Sequence, residues 1–211
     1  MHTLFNKPEI TIEDLDNLIR DKVEESLHLD YKESGSLQNT DGKKKEIAKD
    51  VSAFANSDGG IIIYGITEEN HVPISYSFID GHQITKEWLE NVIHSNISKR
   101  IEKLSIIPIR YEGDISKTIY VIKIPSNSSA PHMAKDSRYY RRYNFQSVPL
   151  EEYEVRNLYF KREKTVLQFA DPVISIQVGS TSGGKISDLT LKMNFHIENV
   201  GNAIENQYKL E

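Results

Sequence analysis

Cysteine is absent from all 211 residues, which excludes disulfides and thiolate zinc sites and leaves only carboxylates, carbonyls and histidines as metal ligands. Long apolar runs are missing too: no stretch of about 18 apolar residues is available to cross a bilayer. The opening MHTLFNKPEITIEDL has neither a basic n-region nor an uninterrupted apolar h-region, so it does not read as a secretory signal. A cytoplasmic, reducing location is therefore expected. An excess of basic charge is also lacking: 26 Lys and Arg stand against 31 Asp and Glu, a formal net charge of -5. This excludes a basic coat, so any polyanion site must be a local patch. What is present, 38% hydrophobic and 27% charged residues, describes a folded globular chain.

The hydrophobic pattern switches between helical and strand periods. Ile12, Leu15, Leu18, Ile19 and Val23 recur three and four apart, predicting a helix over Thr11–Glu25 capped by Thr11. Leu27 to Lys32 alternates, with Leu27, Leu29 and Tyr31 on one side and His28, Asp30 and Lys32 on the other, as in a half-buried strand. Ser34 to Gly42 is a loop, and Lys43 to Ala55 returns to helical spacing. Asn56 to Gly60, NSDGG, breaks that helix ahead of Ile61–Ile66, which is apolar on both faces and reads as a central strand. Thr85–Ile97 is a further helix. Leu104–Tyr111 and Thr118–Ile124 are strands of a hairpin joined by EGDISK, Arg138–Tyr143 is a short strand, and Leu150–Phe160 a helix. The predicted class is α+β for residues 1–165, a mixed sheet with flanking helices. Residues 166–211 read as part of an all-β, sandwich-like segment, with strands at Val173–Val178, Leu189–Ile197 and Tyr208–Glu211, so the chain is expected to be part of a longer protein.

Three strings, VEESLHLDYKES, KKKEIAKDVSAFANSDGGIIIYGITEEN and RYYRRYN, resemble the Schlafen Alba-like family, once described as divergent AAA-associated domains. The most specific is AFANSDGGIIIYGI, Ala53 to Ile66. By itself this string is first a structural elbow, in which Gly59 and Gly60 turn the chain sharply and Asn56 and Asp58 bond nearby main chain. Read functionally, the same elbow shapes the floor of a binding groove. The resemblance implies a Schlafen/Alba-like fold and nucleic-acid binding, to RNA or DNA. In members that cleave RNA it also implies Mg²⁺ or Mn²⁺ held by three carboxylates. The first two match Glu25 and Asp30 in Glu25-Ser26-Leu27-His28-Leu29-Asp30-Tyr31-Lys32, with Asp in place of the family's Glu. The third has Glu68 as its nearest match, with Thr67 and Glu69 as alternative alignments. Such a cation activates an attacking hydroxyl and neutralises charge on the scissile phosphate. Lys32 would add positive charge there. Because residues 25 and 30 fall on opposite faces of one strand, convergence requires Glu25 to sit in the helix or turn before it.

The basic patch combines Lys135, Arg138, Arg141 and Arg142 with Tyr139, Tyr140 and Tyr143. Arginines grip phosphate and tyrosines stack bases or fill a core; on a strand Arg138, Tyr140 and Arg142 share one face, so not all can meet a ligand. The alternative is an edge strand with solvated arginines. Gly179 to Ile186 nearly spells a phosphate-binding loop but has Ile186 where Ser or Thr must follow the lysine, so it reads as a hairpin turn and no nucleotide loop is expected. His28 shares a side with Asp30, while His71, His82, His94, His132 and His196 show no ligand spacing. Two functions follow from the resemblance: a nucleic-acid-binding domain acting as a metal-dependent endoribonuclease on structured RNA such as tRNA, or a non-enzymatic DNA- or RNA-binding module resembling a transcriptional regulator. Vertebrate Schlafen nucleases pair two lobes and carry zinc; one lobe without cysteine would complete a groove only as a homodimer.

Overall fold

The computed structural model describes residues 4–5, 7–126, 129–160, 167–179, 181–183, 185–186 and 189–200. It divides into two compact units, Met1–Tyr159 and Phe160–Glu211. In the first, α1 (Ile12–Arg20), β1 (Leu29–Lys32), α2 (Asp41–Ala55) and β2 (Gly59–Tyr64) are followed by the hairpin β3 (Ile66–Glu69) and β4 (Val72–Tyr76). Then come α3 (Lys86–Asn96), β5 (Ile97–Ser98), β6 (Ser105–Arg110), β7 (Thr118–Pro125), β8 (Met133–Ala134), β9 (Tyr140–Tyr143), β10 (Gln146–Pro149) and α4 (Glu152–Phe160). The main sheet has the order β1-β2-β7-β6, with β1 parallel to β2 and the remaining pairs antiparallel.

Side-chain parity builds a core on each face of this sheet. Leu29 and Tyr31 of β1, Ile61 and Ile63 of β2, and Ile119 and Val121 of β7 pack with Leu15 of α1. Ile62, Tyr64, Tyr120, Ile122 and Ile124 point the other way, onto Val51 and Phe54 of α2 and Leu89 and Ile93 of α3. The six residues of β2 are all buried, as the continuous apolar run predicts. The sequence expectation of a half-buried β1 needs correction. Asp30 has no exposed surface, because its face of the strand is covered as well. Parity sends Asp30 and Lys32 to the α2 side.

The first helix ends at Arg20, earlier than the predicted Glu25. Lys22 adopts a left-handed φ of 49°, and Val23 N–H reaches back to Leu18 O at 2.9 Å, closing the helix with a Schellman-type turn that no glycine announces. Glu25 therefore lies in the connection ahead of a tight Ser26–Leu29 turn, as convergence with Asp30 requires. The β3–β4 hairpin was not apparent from periodicity. It turns on Asn70 and His71, both with positive φ (53° and 65°), the backbone of a two-residue hairpin loop.

The elbow after α2 is a packing device. A Cβ on Gly59 (φ 74°) would come within 2.5 Å of Ile124 O and Ser126 N, and one on Gly60 within 2.6 Å of His28 O and the Phe54 ring. Asn56 is buried and fully engaged: Nδ2 donates to His132 O (2.8 Å) and Tyr140 O (2.9 Å), and Oδ1 accepts from His132 N–H (2.6 Å). Asp58 is exposed.

In the second unit β11 (Leu167–Val178) pairs antiparallel with β14 (Leu189–Asn199), with a register shift between Ala170 and Val173. The glycine-rich string there forms a small hairpin, β12 (Thr181–Ser182) with β13 (Lys185–Ile186), turning on Gly183 at φ 59°. The strand expected at Tyr208–Glu211 lies outside the described residues.

Because Asn56→Ala leaves two carbonyls and an N–H buried without this partner, it is expected to cost about 3 kcal/mol. At about 2–4 °C per kcal/mol for a chain of this size, the melting temperature should fall by about 10 °C. Calorimetry of the full chain checks it; a change under about 2 °C would refute the staple.

Candidate nucleic-acid interface

Side-chain parity and chain crossing bring four segments together at the C-terminal end of β1. β1 supplies Asp30 and Lys32; α2 supplies Lys49 and Asp50; β9 supplies Arg142; and the turn and start of β10 supply Phe145 and Ser147. Between them lies a cavity of about 350 Å³ lined by Lys32, Lys49, Asp50, Tyr64, Arg142, Phe145 and Ser147, among others.

Asp30 is its electrostatic pivot. Lys32 Nζ lies 2.6 Å from Asp30 Oδ2, although off the direction of a hydrogen bond, and Arg142 Nη2 lies 3.5 Å from Oδ1. Arg142, itself buried, stacks its guanidinium 4.6 Å from the Phe54 ring centroid and donates to Ser26 O at 3.3 Å. Its backbone N–H donates to Ser57 Oγ of the elbow at 3.0 Å. Burial works against the Lys32 charge, but Asp30, then Asp50 and Glu25, outweigh it and raise the lysine above its ordinary pKa. Lys32 is therefore a firmly charged group on a partly open wall.

Asp50 closes the cavity from the helix side. Burial pushes its carboxyl up, Lys32 pulls against that, and the Asp30 charge adds to it; Ser147 Oγ donates to Asp50 Oδ1 at 2.8 Å. Sequence reading passed over Asp50 and Ser147 because each is an ordinary polar residue in its own segment. They become a site only through the pairing of β9 with β10.

The three acids singled out from the sequence are partitioned. Glu25 Oε1 accepts from Tyr31 N–H at 2.9 Å, and its Oε2 lies 2.7 Å from His71 Nδ1. Burial raises the Glu25 carboxyl, the Tyr31 N–H opposes this, and the charge of Asp30 reinforces it. Glu68 is exposed and accepts from His71 N–H at 2.7 Å. His71 thus joins Glu25 to Glu68, while Asp30 is engaged by Lys32 and Arg142. Among the described residues no three His, Asp or Glu side chains are grouped to hold a metal ion, so Glu25, Asp30 and Glu68 do not fit as one ligand set in this arrangement. His71, missed in the sequence for want of a neighbouring ligand, also stacks on Phe145 with centroids 4.1 Å apart.

The basic patch is dispersed. Lys135 and Arg138 are exposed, Arg141 pairs with Glu154 at 3.1 Å, and Tyr140 joins the core on the α2 side. Arg142 is turned inward on the face it shares with Tyr140. Lys43, ahead of the α2 core residues, pairs with Glu46 at 2.9 Å. His28 is exposed, and its Nδ1 lies 3.0 Å from Gly59 O rather than on the Asp30 side chain. No helix is long and apolar enough to cross a membrane among the described residues.

Comparison with known proteins adds a family to this geometry. Among curated proteins there is no significant match. One similar solved structure is the DIP2311 protein from Corynebacterium diphtheriae, 16% identical with a TM-score of 0.47, the likeness covering 70% of this chain. It covers 27% of that protein, so this chain spans well under a third of its length. The model of the family described as Schlafen, AlbA_2 matches residues 25–151, a span that contains both the elbow and the whole cavity wall, and the chain belongs to that nucleic-acid-related family.

Proposed function

We propose that the first unit is a cytoplasmic nucleic-acid-binding domain that takes a backbone phosphate at the cavity beside β1. The observation that carries this reading is Lys32: an ammonium held charged by a fully buried aspartate and lining a cavity alongside Lys49. The Asp30 charge fixes the lysine, while the outer wall is left to bind. Phe145, backed by the His71 ring, offers a flat surface at the same cavity on which a base can stack. Lys135 and Arg138, exposed at the β8–β9 turn, extend the basic contacts for RNA or DNA.

Asp50 tunes this site. Its carboxyl titrates above the ordinary aspartate value, so as pH falls it is protonated before a solvated aspartate would be, and its negative charge is lost from the cavity. Affinity for nucleic acid should therefore rise as pH falls through that window. For stability the sign is also fixed. The folded state holds the Asp50 proton to higher pH than the unfolded state does, so its contribution to stability falls as pH rises from the unfolded pKa through the raised one.

Three outcomes follow, read by fluorescence anisotropy with a labelled RNA and a labelled DNA of equal length. Affinity of the full chain should fall with salt, with a log–log slope of about -2 for two to three phosphate contacts on a single strand. Lys32→Met should weaken binding about tenfold and flatten that slope by about 1. Asp50→Asn should tighten binding several-fold at pH 7 and remove the cavity's share of the pH dependence. Binding indifferent to salt and to Lys32→Met would sink the proposal.

A second reading, a metal-dependent endoribonuclease acting on structured RNA such as tRNA, draws on one observation: the Asp30 charge raises both Glu25 and Asp50, a crowding of acids that a divalent cation would relieve. It would require the Glu25–His71 pair to open. Incubating a tRNA pool with Mn²⁺ or Mg²⁺ decides it. Chelator-sensitive cutting that disappears in Glu25→Gln while binding persists makes the domain a nuclease. Absence of cutting alongside salt-sensitive binding leaves the regulatory binding module.

A further inference from the structure

The second unit contains an amphipathic sheet face that its own described residues leave open. The β11–β14 register places Phe169 opposite Ile197, Ile174 opposite Met193, and Ile176 opposite Leu191. Directly opposed residues share a face, and residues two apart on a strand share it too. Phe195 therefore joins Leu191, Met193 and Ile197, and its ring meets Phe169 edge-on at 5.0 Å, as one common face requires. The register shift at Asp171–Pro172 keeps Phe169 in phase with Ile174 and Ile176; without it they would point to opposite sides. The reverse face is mostly polar, with Gln168, Ser175, Gln177, Lys192, Asn194, His196 and Glu198 beside Ala170 and the exposed Val173. Six side chains of the apolar face are 46–64% exposed.

We propose that a second copy of this chain covers that face, ribbon on ribbon about a two-fold axis. Three properties of the face favour this occupant. Its apolar members Phe169, Ile174, Ile176, Leu191, Met193, Phe195 and Ile197 carry no charge, so they can meet their own image without burying an unpaired charge; the acid of the face, Asp171, lies at the bulge opposite Phe195. Its area also suffices: six large side chains about half exposed present about 100 Å² each, so a two-fold contact buries about 1,200 Å² in total, the lower end of the range for specific interfaces. Finally, a two-stranded ribbon is marginal alone, whereas two ribbons stacked about 10 Å apart form a four-stranded, two-layer core. An anionic lipid surface is disfavoured, since Asp171 and Glu198 outnumber Lys192 on the strands.

Because the chain has no cysteine, single cysteines report the contact without background. In the full chain, Ile176→Cys, Leu191→Cys and Met193→Cys, treated with a short bis-maleimide, should give covalent dimers, whereas Ser175→Cys and Lys192→Cys should not. Sedimentation equilibrium should show a reversible monomer–dimer transition in the micromolar range. Ile176→Glu should weaken it at least tenfold, and Ser175→Glu should leave it unchanged. A chain that stays monomeric at about 100 µM, or that links equally from both faces, overturns the proposal. So does an oligomer that grows without limit, which would mean pairing along strand edges. Association with vesicles in place of dimerisation would assign the face to lipid instead.

Discussion

A carboxylate with no exposed surface is tolerable in a folded protein only if its charge is met, and the first unit is arranged around meeting that of Asp30. Strand parity turns Asp30 away from the α1 layer and toward α2. Lys32 answers it from the same strand face and Arg142 from β9, 112 residues along the chain. Removing the buried Arg142 leaves the partly open Lys32 alone to balance a buried charge, a loss of up to about 3–5 kcal/mol. The interaction therefore does more than hold a lysine ready. It ties the edge strand β1 to a hairpin that shares no ladder with the main sheet, and so fixes the cavity wall between them.

The elbow delivers Arg142 to that position. Asn56 anchors the carbonyls of His132 and Tyr140, and Ser57 accepts the Arg142 N–H, so two consecutive residues at the helix end register β9 against α2. Gly59 and Gly60 then let β2 leave the helix at once, close under β7 and the His28 carbonyl. The structural and functional readings of NSDGG are thereby joined. The residues act on packing, and what their packing positions is the guanidinium facing Asp30.

Elements whose outcome depends on local periodicity were readable in advance. The central strand, α2, α3 and the β6–β7 hairpin follow from apolar spacing and turn residues within a few neighbours. The early end of α1 was not readable, because Lys22 adopts a left-handed conformation without being glycine, and the β3–β4 hairpin turns on Asn-His rather than a glycine pair. For the site, Glu25, Asp30, Lys32 and Arg142 stood out by their motifs. Asp50, His71, Phe145 and Ser147 did not, since the contacts that matter, Asp50 with Ser147 and His71 with Glu25 and Phe145, join segments distant in the chain. Arg142 illustrates the limit most directly. A strand alternation places it with Tyr140, but which of the two faces turns inward depends on Phe54 and Asp30, and only the folded chain supplies those.

The two units solve the same problem differently. Alternating residues create two faces, and free energy requires each apolar face to be covered. In the first unit helices cover the sheet on both sides, so even a strand face carrying Asp30 and Lys32 is enclosed, and its charges become a site because water is restricted there. In the second unit one ribbon face is largely apolar and the other largely polar, yet the described residues supply no layer for the apolar one. Enclosure on one side of the boundary yields chemistry within the chain. Exposure on the other yields a surface whose complement must be another layer, and a broad, self-matching apolar face selects its own copy as that layer.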